Sequence, residues 1–259
     1  MTSAGALPPG YRRLADGRVR AVGLASLAAP LESALAAGPF YDYAASHPEA
    51  RELRGRGVAY AVPLPDGETP VVVRRSRRGG LIAAITADRF VGATRAPREL
   101  DIATRLASLG VPTPEVVAYA TYRAGPGLRR ADVVTREVPR ARDLAVALRA
   151  AGSAEKRREL LVATAILLDA LGTAGARHPD LNLRNVLISR DESGRAVAFA
   201  LDVDRIRFHR PGDPAVTTAN IRRLVRSARK LARTEALPIG EPELEMLISA
   251  VRAQPRPGA

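Results

Sequence analysis

The stretch His178-Pro179-Asp180-Leu181-Asn182-Leu183-Arg184-Asn185-Val186-Leu187-Ile188 decides the reading of this chain. The carboxylate of Asp180 is followed five residues later by the amide of Asn185, and the loop holding both runs straight into an apolar strand. A loop this short can turn back so that the two side chains meet at one point. A carboxylate and a neutral amide converging there suit a hard cation that prefers oxygen ligands. Upstream, residues 154–174 have helical spacing, and 160–171 are apolar nearly all round, which predicts a centrally buried helix. Downstream, 186–189 and 196–201 read as two short apolar strands around the turn Asp191-Glu192-Ser193-Gly194. Seventeen residues past Asn185 that second strand delivers Leu201-Asp202-Val203-Asp204-Arg205. That segment carries two acids, Asp202 and then Asp204, a second acid or a turn residue.

Outward from this loop the pattern divides in two. Residues 56–62 read as a strand, Pro65-Asp66-Gly67-Glu68 as a turn, and Val71-Val72-Val73-Arg74-Arg75 as a second strand. Residues 76–93 are basic and Gly-containing and are expected to form a loop and a short helix. Leu100, Ala103, Leu106 and Ala107 fall at helical spacing, which predicts a helix over 95–109, stopped by Gly110 and Pro112. Strands are expected at 116–122 and 132–138, joined by a Gly/Pro/Arg-rich loop over 123–130. Two strands, a helix and two strands make a small antiparallel sheet with one main helix packed on it. After Pro139 the expected elements are mostly helices, at 142–150, 154–174, 218–233 and 241–252. The fold class is therefore α+β and bilobal. Residues 51–138 form the sheet lobe, 139–259 the helical lobe, and 1–50 a loose Ala-, Gly- and Pro-rich arm with one short helix near 30–37.

Composition narrows the function. With 259 residues and 46% hydrophobic content the chain can bury a core, so global disorder is excluded. Forty Lys+Arg against 27 Asp+Glu give a net charge of +13; Lys156 and Lys230 are the only lysines, so 38 of the cations are arginines. Such a balance implies an anionic partner: nucleic acid, a membrane surface or a phosphorylated substrate. Nucleic acid is set aside, because stacking along a groove needs aromatics and only 4% of the residues are aromatic. The absence of Cys excludes disulfides and thiol chemistry, and three histidines (His47, His178, His209) are too few for a multi-His metal centre. No uninterrupted apolar run reaches the length of a transmembrane helix, and MTSAGALPPGYRRLADGR does not read as a secretory signal, so a cytoplasmic protein is expected. Residues 218–233 are amphipathic. Ile221, Leu224, Val225, Ala228, Leu231 and Ala232 lie on one side, with Arg222, Arg223, Arg226, Arg229, Lys230 and Arg233 largely on the rest. Such a helix either lies on anionic lipid or packs its apolar side into the core with a solvated basic face.

His178 to Asn185 matches H-x-D-L-x-x-x-N, the catalytic-loop signature of the protein-kinase-like fold. In that chemistry Asp180 accepts or orients the attacking hydroxyl, while Asn185 and Asp202 hold Mg²⁺ on the phosphates of ATP. His178 reads as an anchor of the loop, and Asn182 as a phosphate contact or a loop cap. Gly55 and Gly57 stand where a glycine loop covers the phosphates, although Tyr60 occupies the third glycine position. Arg74 stands where a lysine normally grips the phosphates, and Glu99, at the start of the predicted helix, is its natural partner. An Arg–carboxylate pair is planar and bidentate; a helix-start Glu is also favoured by the helix dipole alone. Backbone groups at Glu137 and Val138, up to Pro139, are expected to meet the adenine.

A more specific resemblance follows. Val72-Val73-Arg74-Arg75-Ser76-Arg77-Arg78-Gly79-Gly80 resembles the V-L-R-H-Y-R-R-G-G segment of bacterial 3-deoxy-D-manno-octulosonic acid (Kdo) kinases. Thr94-Arg95-Ala96-Pro97-Arg98-Glu99-Leu100 resembles their T-R-A-x-R-E-[FL], and Gly110-Val111-Pro112-Thr113-Pro114 their G-[LV]-P-V-P. His178–Asn185 and Leu201–Arg205 resemble H-x-D-L-N-x-x-N and I-D-F-D-R, with Val203 in place of Phe. The similarity runs over about residues 55–233. It implies an ATP-dependent kinase of the lipopolysaccharide core, acting on Kdo attached to lipid A, peripheral on the cytoplasmic face of the inner membrane. It also implies that Arg74 is the family's usual cation at that position, and that the acceptor is Kdo or another envelope sugar. Arg75, Arg77, Arg78 and Arg205 are the candidate contacts to an anionic glycolipid or membrane. Only 57 residues follow Asp202 and no Ala-Pro-Glu motif appears, which leaves little room for a peptide-holding subdomain. The alternatives are an aminoglycoside-type phosphotransferase, whose cationic substrates want an acidic cleft, and an inactive kinase-like scaffold, against which Asp180, Asn185 and Asp202 all argue.

Overall fold

The first fifty residues depart furthest from expectation. The structure, a computed structural model, describes residues 6–15, 19–54, 57–76, 90–91 and 94–254. Strands β1 (Tyr11–Arg13) and β2 (Arg20–Leu24) form an antiparallel pair, and helices α1 (Ala28–Ala36) and α2 (Phe40–Ser46) follow. This segment is not a loose arm, because β2 hydrogen-bonds along β7 (Val116–Gly125) and so extends the main sheet. Three of the eight residues in β1 and β2 are arginines. Their strand signal is weak, and the ladder comes from a neighbour far away in sequence. Leu31 of α1 and Phe40 of α2 are buried in one core with Leu14, Val62 and Val71. The helix lies so close to β2 that a Cβ on Gly23 would stand 2.6 Å from Leu31 Cδ1, so a larger residue there would force the Leu31 side chain to shift.

A second correction concerns the start of the meander. Strand β3 (Arg51–Arg54) precedes β4 (Val58–Pro63), with Arg54 opposite Val58, so Gly57 lies in a tight turn and not in a strand. Gly55 and Arg56 lie outside the described residues. Strand β5 (Pro70–Arg75) pairs with β4 across the expected turn, where Asp66 accepts from the Glu68 and Thr69 amides and Gly67 takes a φ of 73°. Most of the loop-and-helix expectation over 76–93 lies outside the described residues; β6 (Phe90–Val91) is its described part. The predicted helix is α3 (Ala96–Ser108). Strands β7 and β8 (Leu128–Arg136) form one long hairpin, so much of the 123–130 loop expected between them is strand. The sheet order is β1-β2-β7-β8-β5-β4-β3, with β6 on β8. This first unit comprises Met1–Thr104 and Glu115–Glu137, so the N-terminal residues belong to it.

The second unit comprises Arg105–Pro114 and Val138–Ala259. Strand β9 (Arg142–Asp143) leads into α4 (Leu144–Ala150), whose N-cap Asp143 accepts from the Val146 amide at 2.9 Å. Helix α5 (Ala154–Thr173) is capped by Ser153 and buries Leu160, Leu161, Leu167, Leu168 and Leu171. It is not enclosed all round, since Val162 and Ile166 remain 38% and 52% exposed. Strand β10 (Ala176–Arg177) pairs with β13 (Arg207–Phe208), and the expected hairpin of β11 (Val186–Arg190) and β12 (Ala196–Ala200) adds β9 as a third strand. Helices α6 (Pro214–Glu235) and α7 (Glu241–Arg252) complete the unit. Leu224, Val225, Ala228 and Leu231 of α6 are buried in this unit's own core, while Arg222, Arg223, Arg226, Arg229, Lys230 and Arg233 are exposed. The apolar side of this helix is therefore core and is closed to lipid.

Candidate functional site

Successive side chains of a strand point to opposite faces, and β5 uses both. Arg74 pairs through Nη2 with Oε1 of Glu99, in the first turn of α3, with Glu99 only 5% exposed. The neighbouring Arg75 turns the other way, 2.9 Å from Asp42 Oδ1 and 4.1 Å above the Tyr41 ring. Arg75, expected from the sequence to contact an anionic glycolipid or membrane, has its guanidinium engaged in the packing of α2. Beneath it lies Asp132, opposite Arg75 in the β5–β8 register and 2% exposed. Asp132 Oδ2 accepts from the Tyr41 amide at 3.0 Å, and Tyr122 Oη accepts from the Phe40 amide at 2.9 Å. Two of the unpaired amides at the start of α2 are thus satisfied from the sheet. Burial pushes the Asp132 carboxyl up from 3.8 to about 6, and it raises the Tyr122 phenol too, with the Asp132 charge adding to that rise.

The remaining residues expected at a nucleotide are distributed along the backbone. Gly57 lies directly before β4, while Gly55, Arg77 and Arg78 lie outside the described residues. The Glu137 side chain pairs with Arg51, and its amide donates to Pro70 O at 3.0 Å. The Pro139 carbonyl accepts from Ser189 Oγ at 2.6 Å.

In the second unit the loop is held from inside. His178 is 1% exposed, and its Nε2 donates to the Leu201 carbonyl at 2.8 Å. Its Nδ1 is buried without a partner. Burial lowers the pKa of the ring, so it is neutral, with the proton on Nε2. It is an anchor for the residue that precedes Asp202. The Leu201 amide donates to Asn185 O at 2.9 Å, tying the end of β12 to the loop. Asn185 Nδ2 and Asn182 Nδ2 both donate to Asp180 O, at 2.9 and 2.7 Å. Asn182 Oδ1 accepts from the Arg184 amide, so this residue caps the short turn after the loop. Asp202 is one of three non-glycine residues with positive φ among those described, at φ 54° and ψ 45°. Strain of this kind concentrates at functional positions.

Three groups here were not legible in the sequence. Asn220, Arg223 and Ser227 share one face of α6 and reach the loop at three points. Asn220 Oδ1 accepts from the His178 amide at 3.0 Å, while its Nδ2 donates to Ala176 O at 3.0 Å. Ser227 Oγ accepts from the Leu183 amide at 3.3 Å. Arg223 Nη2 donates to Asp180 Oδ1 at 3.3 Å, and Arg205 Nη1 pairs with Asp180 Oδ2. The signal was present as polar residues at helical spacing, but Arg223 is one of many arginines on that helix and only the fold singles it out.

Asn185 spends its amide nitrogen within the loop, which leaves its oxygen as the ligand atom, and Asp202 supplies a carboxylate from an exposed turn. Oxygen donors of this kind fit Mg²⁺. Among the described residues no group of three or more His, Asp or Glu forms a protein-only metal cage. Phosphate oxygens are what such a two-ligand site needs to complete the coordination. A model of the lipopolysaccharide kinase (Kdo/WaaP) family matches residues 46–241. The chain belongs to that family. A 3-deoxy-D-manno-octulosonic acid kinase of Xanthomonas oryzae pv. oryzae (strain PXO99A) is 33% identical over 181 residues, covering 68% of each chain. The kinase of the same name from Vibrio cholerae serotype O1 is 31% identical over 180 residues, covering 68% of this chain and 72% of its own. Among solved structures, one described as WaaP in complex with acyl carrier protein superposes with a TM-score of 0.52, at 16% identity and 87% coverage of both chains. The fold is protein-kinase-like, α+β, and the family member is a phosphotransferase with a hydroxyl acceptor, a sugar kinase of the lipopolysaccharide core. Among the described residues no helix is long and apolar enough to cross a membrane.

Proposed function

We propose that this kinase transfers the γ-phosphoryl group of ATP to a hydroxyl of Kdo attached to lipid A, with Asp180 as the group that takes or orients the hydroxyl proton. The observation that carries this is the catalytic loop, in which the Asp180 carbonyl is held by both Asn182 and Asn185 and the residue before Asp202 is fixed by buried His178. Arg74, paired with Glu99, is assigned to the phosphates of ATP. Asn185 and Asp202 would hold Mg²⁺, which supplies charge neutralisation on the transferring phosphate. The Glu137 amide and the Pro139 carbonyl are committed elsewhere, so the Glu137 carbonyl and Val138 amide are the adenine candidates. Gly57 is assigned to the turn over the phosphates. Positioning and electrostatics supply most of the rate acceleration in this chemistry.

The exposed arginines of α6 support attraction to an anionic surface at the cytoplasmic face of the inner membrane. That attraction should weaken with rising salt; vesicle co-sedimentation unchanged by salt contradicts it. The kinase reading is tested by incubating the protein with labelled ATP, Mg²⁺ and Kdo–lipid A and weighing the product. One added phosphate on the Kdo sugar is expected. An unmodified acceptor, with phosphate transferred instead to an aminoglycoside, overturns it.

A further inference from the structure

Asp180 carries two cations that the transfer reaction itself does not require. Arg205 approaches one carboxylate oxygen and Arg223 the other, at 3.3 Å. The two come from different elements, the short turn after Asp202 and the middle of α6. Their side chains are 52% and 44% exposed, against 29% for Asp180. A guanidinium has five N–H donors. With one contact each to Asp180, both groups keep N–H donors on solvent-exposed side chains beside that carboxylate. Asp202 and Asp204 are the other acids near the loop. The exposed donors of the two guanidiniums can take one further anionic group beside Asp180.

Another arginine of α6 behaves differently. Arg229 meets Glu241, the first residue of α7, through both Nε and Nη2, at 2.9 and 2.7 Å, a closed bidentate pair. Arg205 and Arg223 divide one carboxylate between them, with one contact each.

We propose that Arg205 and Arg223 form the binding site for the carboxylate of the acceptor sugar acid, and thereby set which hydroxyl lies beside Asp180. This rests on the Kdo kinase reading. An octulosonic acid is a carboxylate at neutral pH, and guanidinium donors match its planar geometry. The arrangement selects acidic sugars over neutral ones at the position where the reacting hydroxyl must sit. It also accounts for the ion pairs on Asp180 without substrate: the arginines are pre-positioned by the residue they serve.

The test compares two acceptors, Kdo–lipid A and its Kdo methyl ester, with wild type and with the variants Arg205→Ala, Arg223→Ala and Arg223→Lys, each checked by thermal melting. Wild type should prefer the acid by at least about tenfold in kcat/KM, a difference of about 1.4 kcal/mol. In both alanine variants the preference for the acid should shrink towards unity, the acid losing more through KM than the ester does, and Arg223→Lys should restore part of that preference. Arg229→Ala should keep the wild-type preference. A preference for the acid that survives in both alanine variants overturns the proposal and leaves the kinase reading standing. So does an equal fall in kcat for both acceptors, which marks the arginines as positioning Asp180 only. A raised KM for ATP with acid preference intact moves them to the nucleotide and equally overturns it. If wild type phosphorylates neither acceptor, the kinase reading fails and the proposal with it.

Discussion

The two units treat their carboxylates in opposite ways. The first buries Glu99 and Asp132, at 5% and 2% exposure, Glu99 against Arg74 and Asp132 against the Tyr41 amide. The second leaves Asp180 partly open and Asp202 exposed, on a loop and a strained turn. A buried carboxylate is locked to its partner, and removing that partner strands a charge away from water. An open carboxylate can exchange partners, which a cation, a hydroxyl and a product all require. The first unit thus commits these acids to architecture and to the pairing of Arg74, and the second leaves its acids open to solvent.

The largest effect should come from the open side. Asp180→Ala is expected to lower phosphotransfer by about 10²–10⁴-fold, with a melting temperature close to wild type because the side chain is solvated. A variant that melts far below wild type would place Asp180 among the architectural acids and break the contrast. Arg74→Ala should lose on both counts. It strands Glu99, at about 2 kcal/mol, less than for a fully buried pair because Arg74 is itself part-exposed, and it should raise KM for ATP by about tenfold. Denaturant unfolding and ATP kinetics measure the two separately.

Asp132 gives the contrast a pH dependence. Its folded value of about 6 lies above its ordinary 3.8, so the folded protein holds this proton more tightly than the unfolded chain. Stability from this group is full below 3.8 and is lost as pH rises through about 6. Asp132→Asn keeps an acceptor for the Tyr41 amide and removes the titration. The stability of wild type relative to this variant should therefore fall by about 3 kcal/mol across that window, read from melts at a series of pH values. A difference flat with pH would show that burial does not shift this carboxyl. The smallest effect is expected for Arg75→Ala, about 1 kcal/mol or less, since it loses an exposed ion pair and one cation–π contact. Its kinetics should match wild type, in contrast to Arg74 one residue earlier.

Legibility followed the same division. The loop from His178 to Asn185, the hairpin after it and the helices of the second unit are written locally, in spacing and turn residues, and they stand where the sequence placed them. Arg74 and Glu99 could be paired because both carry motif positions. Strands β1 to β3 could not be seen in the same way. Tyr11–Arg13 and Arg51–Arg54 are short and largely charged, and they become strands through partners supplied by the rest of the sheet. Asp132 was missed for a related reason: nothing near it in sequence shows that α2 ends its approach there. The role of Arg223 depends on which turn of α6 faces the loop, which the hydrophobic pattern alone leaves among several equivalent arginines.

That face of α6 has a consequence for how the chain can change. Asn220, Arg223 and Ser227 meet the loop together because they lie within two turns of one helix. Each residue of an α-helix adds about 100° of rotation. Exchanging one surface arginine of α6 for another polar residue leaves this alignment intact, whereas inserting or deleting a single residue between 220 and 227 would swing Ser227 a quarter-turn or more out of phase with Asn220. The helix is tolerant of spelling and intolerant of length, and the catalytic loop inherits that intolerance.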